Sequence, residues 1–193
     1  MTDTLSAPEV DHGADRWLTR YYLVRAAFNV AWVAAAFLTP DAAPALAVLF
    51  LIYPAWDAAA NVVDAQRSGG VRNNPTQAVN AAVSVLTAGA VAVALTDSMN
   101  AVLGVFGVWA AVSGLLQLAT GLRRRRSRAG GQWAMLLSGA QSTAAGVMFV
   151  ITSTSTEVPD ATAVAPYAAF GAFYFVVAAV WLAIGAVRRS RNA

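Results

Sequence analysis

No cysteine and no lysine occur in these 193 residues, and histidine appears once, at position 12. The missing thiol excludes disulfides, thiolate metal sites and a cysteine nucleophile. His12 stands in a polar N-terminal stretch, so a bis-histidine haem, a histidine-ligated metal or a serine–histidine triad among the apolar segments is unsupported. No glycine-rich loop closes on a lysine, and neither a nucleophile elbow nor an HExxH sequence is present. SGG at 68–70 and AGG at 129–131 read as short turns. The sequence therefore predicts a protein that is not an enzyme and holds no cofactor or metal.

Charge is scarce as well. Charged residues make up 12% of the chain and hydrophobic residues 58%, whereas a soluble domain carries about 25% charged residues. A bilayer as solvent accounts for that excess better than one large core. Six apolar segments stand out, at 18–38, 43–62, 76–95, 100–121, 132–152 and 164–187. A helix rises about 1.5 Å per residue, so each is long enough to cross a hydrocarbon layer of about 30 Å. Residues 1–16, MTDTLSAPEVDHGADR, are acidic and polar and lack the pattern of a signal peptide. They read as a disordered cytosolic tail, and 17–193 as the membrane domain.

All thirteen basic residues are arginine. The pI near 9.8 resembles a nucleic-acid signal until the charges are placed. Arg16 ends the tail and Arg20 stands at the start of the first segment, Arg67 and Arg72 follow the second, RRRRSR (123–128) the fourth and RRSR (188–191) the sixth. The other three loops, TPDAA, TDSMN and TSTSTEVPDATA, have no basic residue. The positive-inside rule then puts both termini in the cytoplasm of a bacterial plasma membrane, with lipid rather than nucleic acid as the partner. Arg123, Arg124, Arg125, Arg126 and Arg128 either only set topology or also contact anionic head groups.

A repeat is visible. Tyr53, Trp109 and Tyr174 each precede an arginine (Arg67, Arg123, Arg188) by fourteen residues. The fold expected is all-α and polytopic, with six transmembrane helices arranged as three antiparallel hairpins, 17–67, 73–123 and 131–188. Gly104, Gly107, Ala111, Gly114 and Gly121 in segment four, and Gly139, Thr143 and Gly146 in segment five, are small residues that let helix backbones approach in lipid. Such faces also suit a scaffold or a homo-oligomer.

One residue is out of place. Arg25 lies inside YYLVRAAFNVAW (21–32), and an arginine at mid-membrane costs about 2.5–3.5 kcal/mol. Around the first turn, Arg25 and Asp57 are equidistant from position 41, and Arg20 and Asp64 from position 42. Two basic–acidic pairs are thereby expected at matched depth. Arg25, Asn29 and Trp32 share one helical face, as do Tyr53, Asp57, Asn61 and Asp64 on the next segment. A polar seam follows, which Gln77, Asn80, Ser84, Gln117 and Gln141 extend, and Pro54 frees a backbone carbonyl beside it. The seam is either a staple fixing helix register or the site of a small transporter or channel for protons, anions or weak acids.

The frames YPAWDA, with Tyr53 and Asp57, and WAAVSG, with Trp109, Ser113 and Gly114, resemble those of the HdeD-like acid-resistance membrane proteins. Arg25-Ala26, Asn80-Ala81 and Ser138-Gly139 stand where that family's odd helices begin Arg-Gly, and TPDAAP resembles its proline-centred outer turn. Alanines replace the family's glycines after Arg25 and Asp57. The resemblance implies six spans in short repeated units and a non-enzymatic role in acid or envelope stress.

Overall fold

The computed structural model describes residues 12–39, 43–67, 69–125 and 132–191. The chain is all-α: α1 (His12–Leu38), α2 (Ala43–Arg67), α3 (Pro75–Ala94), α4 (Met99–Arg125), α5 (Gln132–Thr152) and α6 (Ala165–Arg191), with short 3-10 turns at Val71–Asn73 and Ala161–Ala163. α1 starts at His12, so residues 12–16, expected in the tail, are helical; residues 1–11 of that tail lie outside the described residues. Pro75 takes the first position of α3, where its missing N–H would have no helical partner.

Gly69 and Gly70 turn the chain between α2 and α3 with φ of 97° and 95°, a backbone region that L side chains rarely adopt. The Gly70 N–H and the Asn74 side-chain amide both donate to the Ala65 carbonyl, closing the end of α2.

Five helices, all but α5, are long and apolar enough to cross a membrane; in α5 the apolar stretch is the shorter Leu136–Thr152. Burial runs opposite to that of a water-soluble protein. Leu86 and Trp181 are 73% and 70% exposed, while Asn29, Asp57, Asn61, Ser84, Thr87 and Ser142 are buried. Large apolar side chains facing out and polar ones facing in describe a helical, multi-pass membrane protein.

The closest helix approaches are α4 with α5, α1 with α6, and α2 with α3. The backbones of α1 and α2 stand further apart, so the expected first hairpin is not a close-packed helix pair. The reason is steric. Between α1 and α2 lie bulky rings: Phe28 stacks on Trp56 at 4.7 Å, and Trp32 meets Tyr53 edge-on at 5.3 Å.

Between α4 and α5 lie the small residues that the sequence singles out. A Cβ on Gly114 would fall 2.5 Å from the Thr143 N, and one on Gly107 would fall 2.8 Å from the Gly146 carbonyl oxygen. Only hydrogen fits there.

Contacts fix the two ends of the bundle. The Arg67 guanidinium lies over the Trp17 ring at 4.6 Å, Gln77 reaches Asp64, and Gly121 sits against Leu136. Gly171 of α6 lies beside Asn29 and Phe175 beside Arg25, so α6 runs antiparallel to α1. The described loop arginines thus gather at one end. At the other, Asn100 donates to the carbonyls of Ser153, Ser155 and Glu157. Between the ends a layer of rings, among them Trp32, Phe50, Tyr53, Phe106, Trp109 and Tyr167, fills the centre in edge-to-face contacts.

Candidate functional site: a polar cavity around Asp57

Asp57 lies on the inward face of α2, one turn beyond Tyr53 and buried Pro54, and it is surrounded by donors. Arg25 Nη2 donates to its Oδ1 at 2.5 Å. Its Oδ2 accepts from Asn61 Nδ2 at 2.9 Å, Ser84 Oγ at 2.9 Å and Asn80 Nδ2 at 3.2 Å. Ser84 in turn accepts from Trp109 Nε1 at 3.0 Å, which commits its hydroxyl hydrogen to Asp57. Four helices are thereby tied to one carboxylate.

The guanidinium is held as closely. Arg25 Nη1 donates to the Tyr21 hydroxyl at 3.0 Å, and that hydroxyl donates to the Ala60 carbonyl at 3.1 Å. The Phe175 ring lies 4.4 Å from the guanidinium carbon, a cation–π contact from α6. A charge-assisted pair in this setting offsets the desolvation of both members only because each has further hydrogen bonds.

Beside the pair is a cavity of about 310 Å³. Its lining reaches the bundle end at Thr76 and Gln77, in the first turn of α3, and stops against Tyr53, Trp109 and Tyr167. The odd helices contribute in parallel fashion. Each supplies two polar residues four apart to the cavity or its wall: Arg25 and Asn29, Asn80 and Ser84, Ser138 and Ser142. Ser142 donates to the Ala110 carbonyl at 2.8 Å and lies 3.1 Å from the Tyr167 hydroxyl.

Among the described residues, four buried polar side-chain atoms have no protein partner: Arg25 Nε, Trp56 Nε1, Asn80 Oδ1 and Ser113 Oγ. All four residues line the cavity. An unpaired buried polar group is unfavourable by several kcal/mol, and each of these atoms is closed off from solvent. No group of three His, Asp or Glu side chains occurs among the described residues.

Of the residues that the sequence proposes, Arg25, Asn29, Tyr53, Asp57, Asn61 and Asp64 line the cavity, joined by Gln77, Asn80, Gln117 and Gln141. Arg20 does not. Arg25–Asp57 is the ion pair among the described residues, Asp64 takes a long contact from Gln77 at 3.5 Å, and Arg20 is exposed. Arg20 and Arg25 are five positions apart, roughly 140° around a helix of about 100° per residue, so matched depth does not bring Arg20 to the same face. Arg123, Arg124 and Arg125 close α4, whereas Arg126 and Arg128 lie outside the described residues. Sequence reasoning missed Tyr21, Trp56, Tyr167 and Phe175. Tyr21 stands one turn before Arg25 and was discoverable from that spacing.

Residues 79–151, which take in most of α3, all of α4 and nearly all of α5, match the family described as a short repeat of unknown function (DUF308). No curated protein and no solved structure matches the chain.

Proposed function

We propose that the chain is a six-span, non-enzymatic protein of the bacterial plasma membrane. In this reading both termini are cytoplasmic, and the Arg25–Asp57 centre forms a cytoplasm-facing chamber that takes up small polar solutes as part of a transport cycle. The observation that carries this reading is the cavity of about 310 Å³ beside the Arg25–Asp57 pair, lined by further polar side chains such as Asn29, Asn80 and Gln141. A mere staple would need the ion pair and its hydrogen bonds but no adjoining space.

Six spans follow if α5 crosses too. Its 21 residues would reach about 31 Å at ~1.5 Å per residue, the thickness of the hydrocarbon core. The cytoplasmic orientation rests on the arginine-bearing end. The parallel polar pairs on α1, α3 and α5 favour three repeated hairpins. Arg123, Arg124 and Arg125, with Arg126 and Arg128 beyond, supply contacts for anionic head groups on that side.

The test is flux through purified protein in liposomes. Ser113→Phe places a ring in the cavity at a residue whose hydroxyl bonds to no protein atom, and it is expected to abolish uptake without unfolding the bundle. Equal uptake in protein-free vesicles would sink the proposal.

A second reading, a role in acid or envelope stress like that of the HdeD-like proteins, is favoured by the short-repeat match across 79–151 and by the YPAWDA and WAAVSG frames. Deleting the gene and scoring survival at low pH tests it; unchanged survival removes it.

A further inference from the structure

Around the bundle, the backbones of two neighbouring helix pairs stand well apart, α1 from α2 and α5 from α6. The first gap is filled by the Arg25–Asp57 pair and by the stacked rings of Phe28 and Trp56. The second is bridged at Tyr167, whose hydroxyl lies 3.1 Å from Ser142 Oγ and whose ring meets Phe149 at 5.9 Å. From Tyr167 toward the arginine-bearing end, the chamber wall is Ser138 and Gln141 of α5 with Gly171 and Tyr174 of α6. None of these four is fully buried, and Gly171 puts no side chain into the gap. Their chain neighbours Leu137, Phe170 and Phe173 are exposed, as lipid-facing side chains are. Apolar groups on the rim and polar groups within give a path of graded polarity from acyl chains to the chamber.

At the inner end of that path stand Asn29 and Tyr53. Both are more than nine-tenths buried, and their side chains make no hydrogen bond among the described residues. Their polar atoms are not sealed off as Ser113 Oγ is, so they open onto the cavity that both residues line. The two converge on Gly171, where a Cβ would stand 2.6 Å from Asn29 Nδ2 and 3.8 Å from the Tyr53 hydroxyl oxygen. An amide and a hydroxyl supply both donors and acceptors there. Neither charge on the lining is at hand for a charged group: Arg25 is bonded to Asp57, and Asp64 lies beside Gln77 on the α3 side. A charged head would lose its hydration without a counter-charge, whereas an uncharged one exchanges water for these hydrogen bonds. A space of about 310 Å³ is at the small end of ligand pockets and fits a head group rather than a whole lipid.

Resting on the chamber reading above, we propose that the gap between α5 and α6 is a lateral portal through which a single-chain amphipath reaches the chamber from the bilayer. Its head is uncharged and carries hydroxyl or carbonyl groups, as in a monoacylglycerol. That head reaches from Gln141 to Asn29 and Tyr53, and the hydrocarbon chain leaves past Gly171 into the acyl layer beside Phe173.

Photolabelling of the full chain in liposomes tests the portal, with a monoacylglycerol bearing a diazirine on the first carbons of its chain. Saturable labelling around Ser138, Gln141 and Tyr174 is expected, displaced by unlabelled monooleoylglycerol. Gln141→Trp and Ser138→Trp each fill the gap and are expected to reduce that labelling at least tenfold. Unfolding midpoints show which of the two is folded, and displacement by the unlabelled lipid decides without either. Labelling that stays on outward residues such as Leu137 and Trp181 and rises in proportion to the probe is ordinary lipid contact and overturns the portal. Equal displacement by oleoylcholine or dodecyl sulfate overturns the uncharged head. Solute flux that Ser113→Phe blocks, with no saturable labelling, overturns the portal and leaves the chamber standing. Labelling of Gln141 that Ser113→Phe leaves unchanged, with no flux, rejects the chamber and this ligand with it.

Discussion

Trp109 controls Asp57 without touching it. The indole N–H of Trp109 on α4 donates to Ser84 Oγ at 3.0 Å, and the Ser84 hydroxyl donates to Asp57 Oδ2 at 2.9 Å. A serine on α3 thereby couples the ring layer to the charged centre, and its hydrogen position is decided by the tryptophan. This coupling separates two serines that composition alone would treat alike.

Ser84→Ala is expected to destabilise the protein by about 1–3 kcal/mol, because the Trp109 N–H is left buried and unpaired. Ser113→Ala, at a hydroxyl with no protein partner, is expected to be near neutral. Thermal unfolding of both variants in detergent checks the contrast; equal midpoints would contradict the relay.

Removing one member of the buried pair should be worse than removing both. Arg25→Ala or Asp57→Ala strands a charge inside the bundle and is expected to cost about 3–5 kcal/mol. Arg25→Met combined with Asp57→Leu is expected to recover most of that loss. Guanidinium or urea unfolding of the three variants gives the comparison.

Between α4 and α5 the constraint is steric. Gly146→Leu is expected to destabilise by about 3 kcal/mol or more, since its side chain must enter the Ala111 backbone. Gly89→Ala, which meets nothing within 4 Å, is expected to be tolerated. Expression and the midpoint of unfolding report the difference.

Gly171 is the corresponding position on α6. A Cβ there would lie 2.6 Å from Asn29 Nδ2, so Gly171→Ala is expected to push the amide into the cavity and cost about 1–3 kcal/mol. The uptake assay would show the displaced amide as reduced flux at unchanged expression.

Because the chain has no cysteine, single thiols can be introduced without background. Gln77→Cys is expected to react with an impermeant maleimide only when the cytoplasmic side is exposed, and Ser155→Cys only from the outside. The reverse pattern would invert the topology.

The Arg25–Asp57 pair was legible because antiparallel neighbours place residues equidistant from a turn at one depth. The small-residue seam of α4 and α5 was legible because lipid gives helices no other reason to carry Gly107, Gly114, Gly139 and Gly146. Depth says nothing about azimuth, and so the Arg20–Asp64 pairing failed while Asp64 took Gln77 instead. Nor does depth give distance, which the rings between α1 and α2 set. Phe175 and Tyr167 were invisible for a different reason. They join the site because α6 returns to pack on α1, a closure between the two ends of the chain that no local pattern announces.

The ring layer beneath the chamber has a kinetic consequence. On the transport reading proposed above, a molecule resting beside Asp57 would next meet Tyr53, Trp109, Tyr167 and Phe106, which interlock across its way. Advance would demand that several aromatics swing aside together. Whatever crosses would therefore do so one occupant per rearrangement, at the turnover of a carrier rather than the current of a pore.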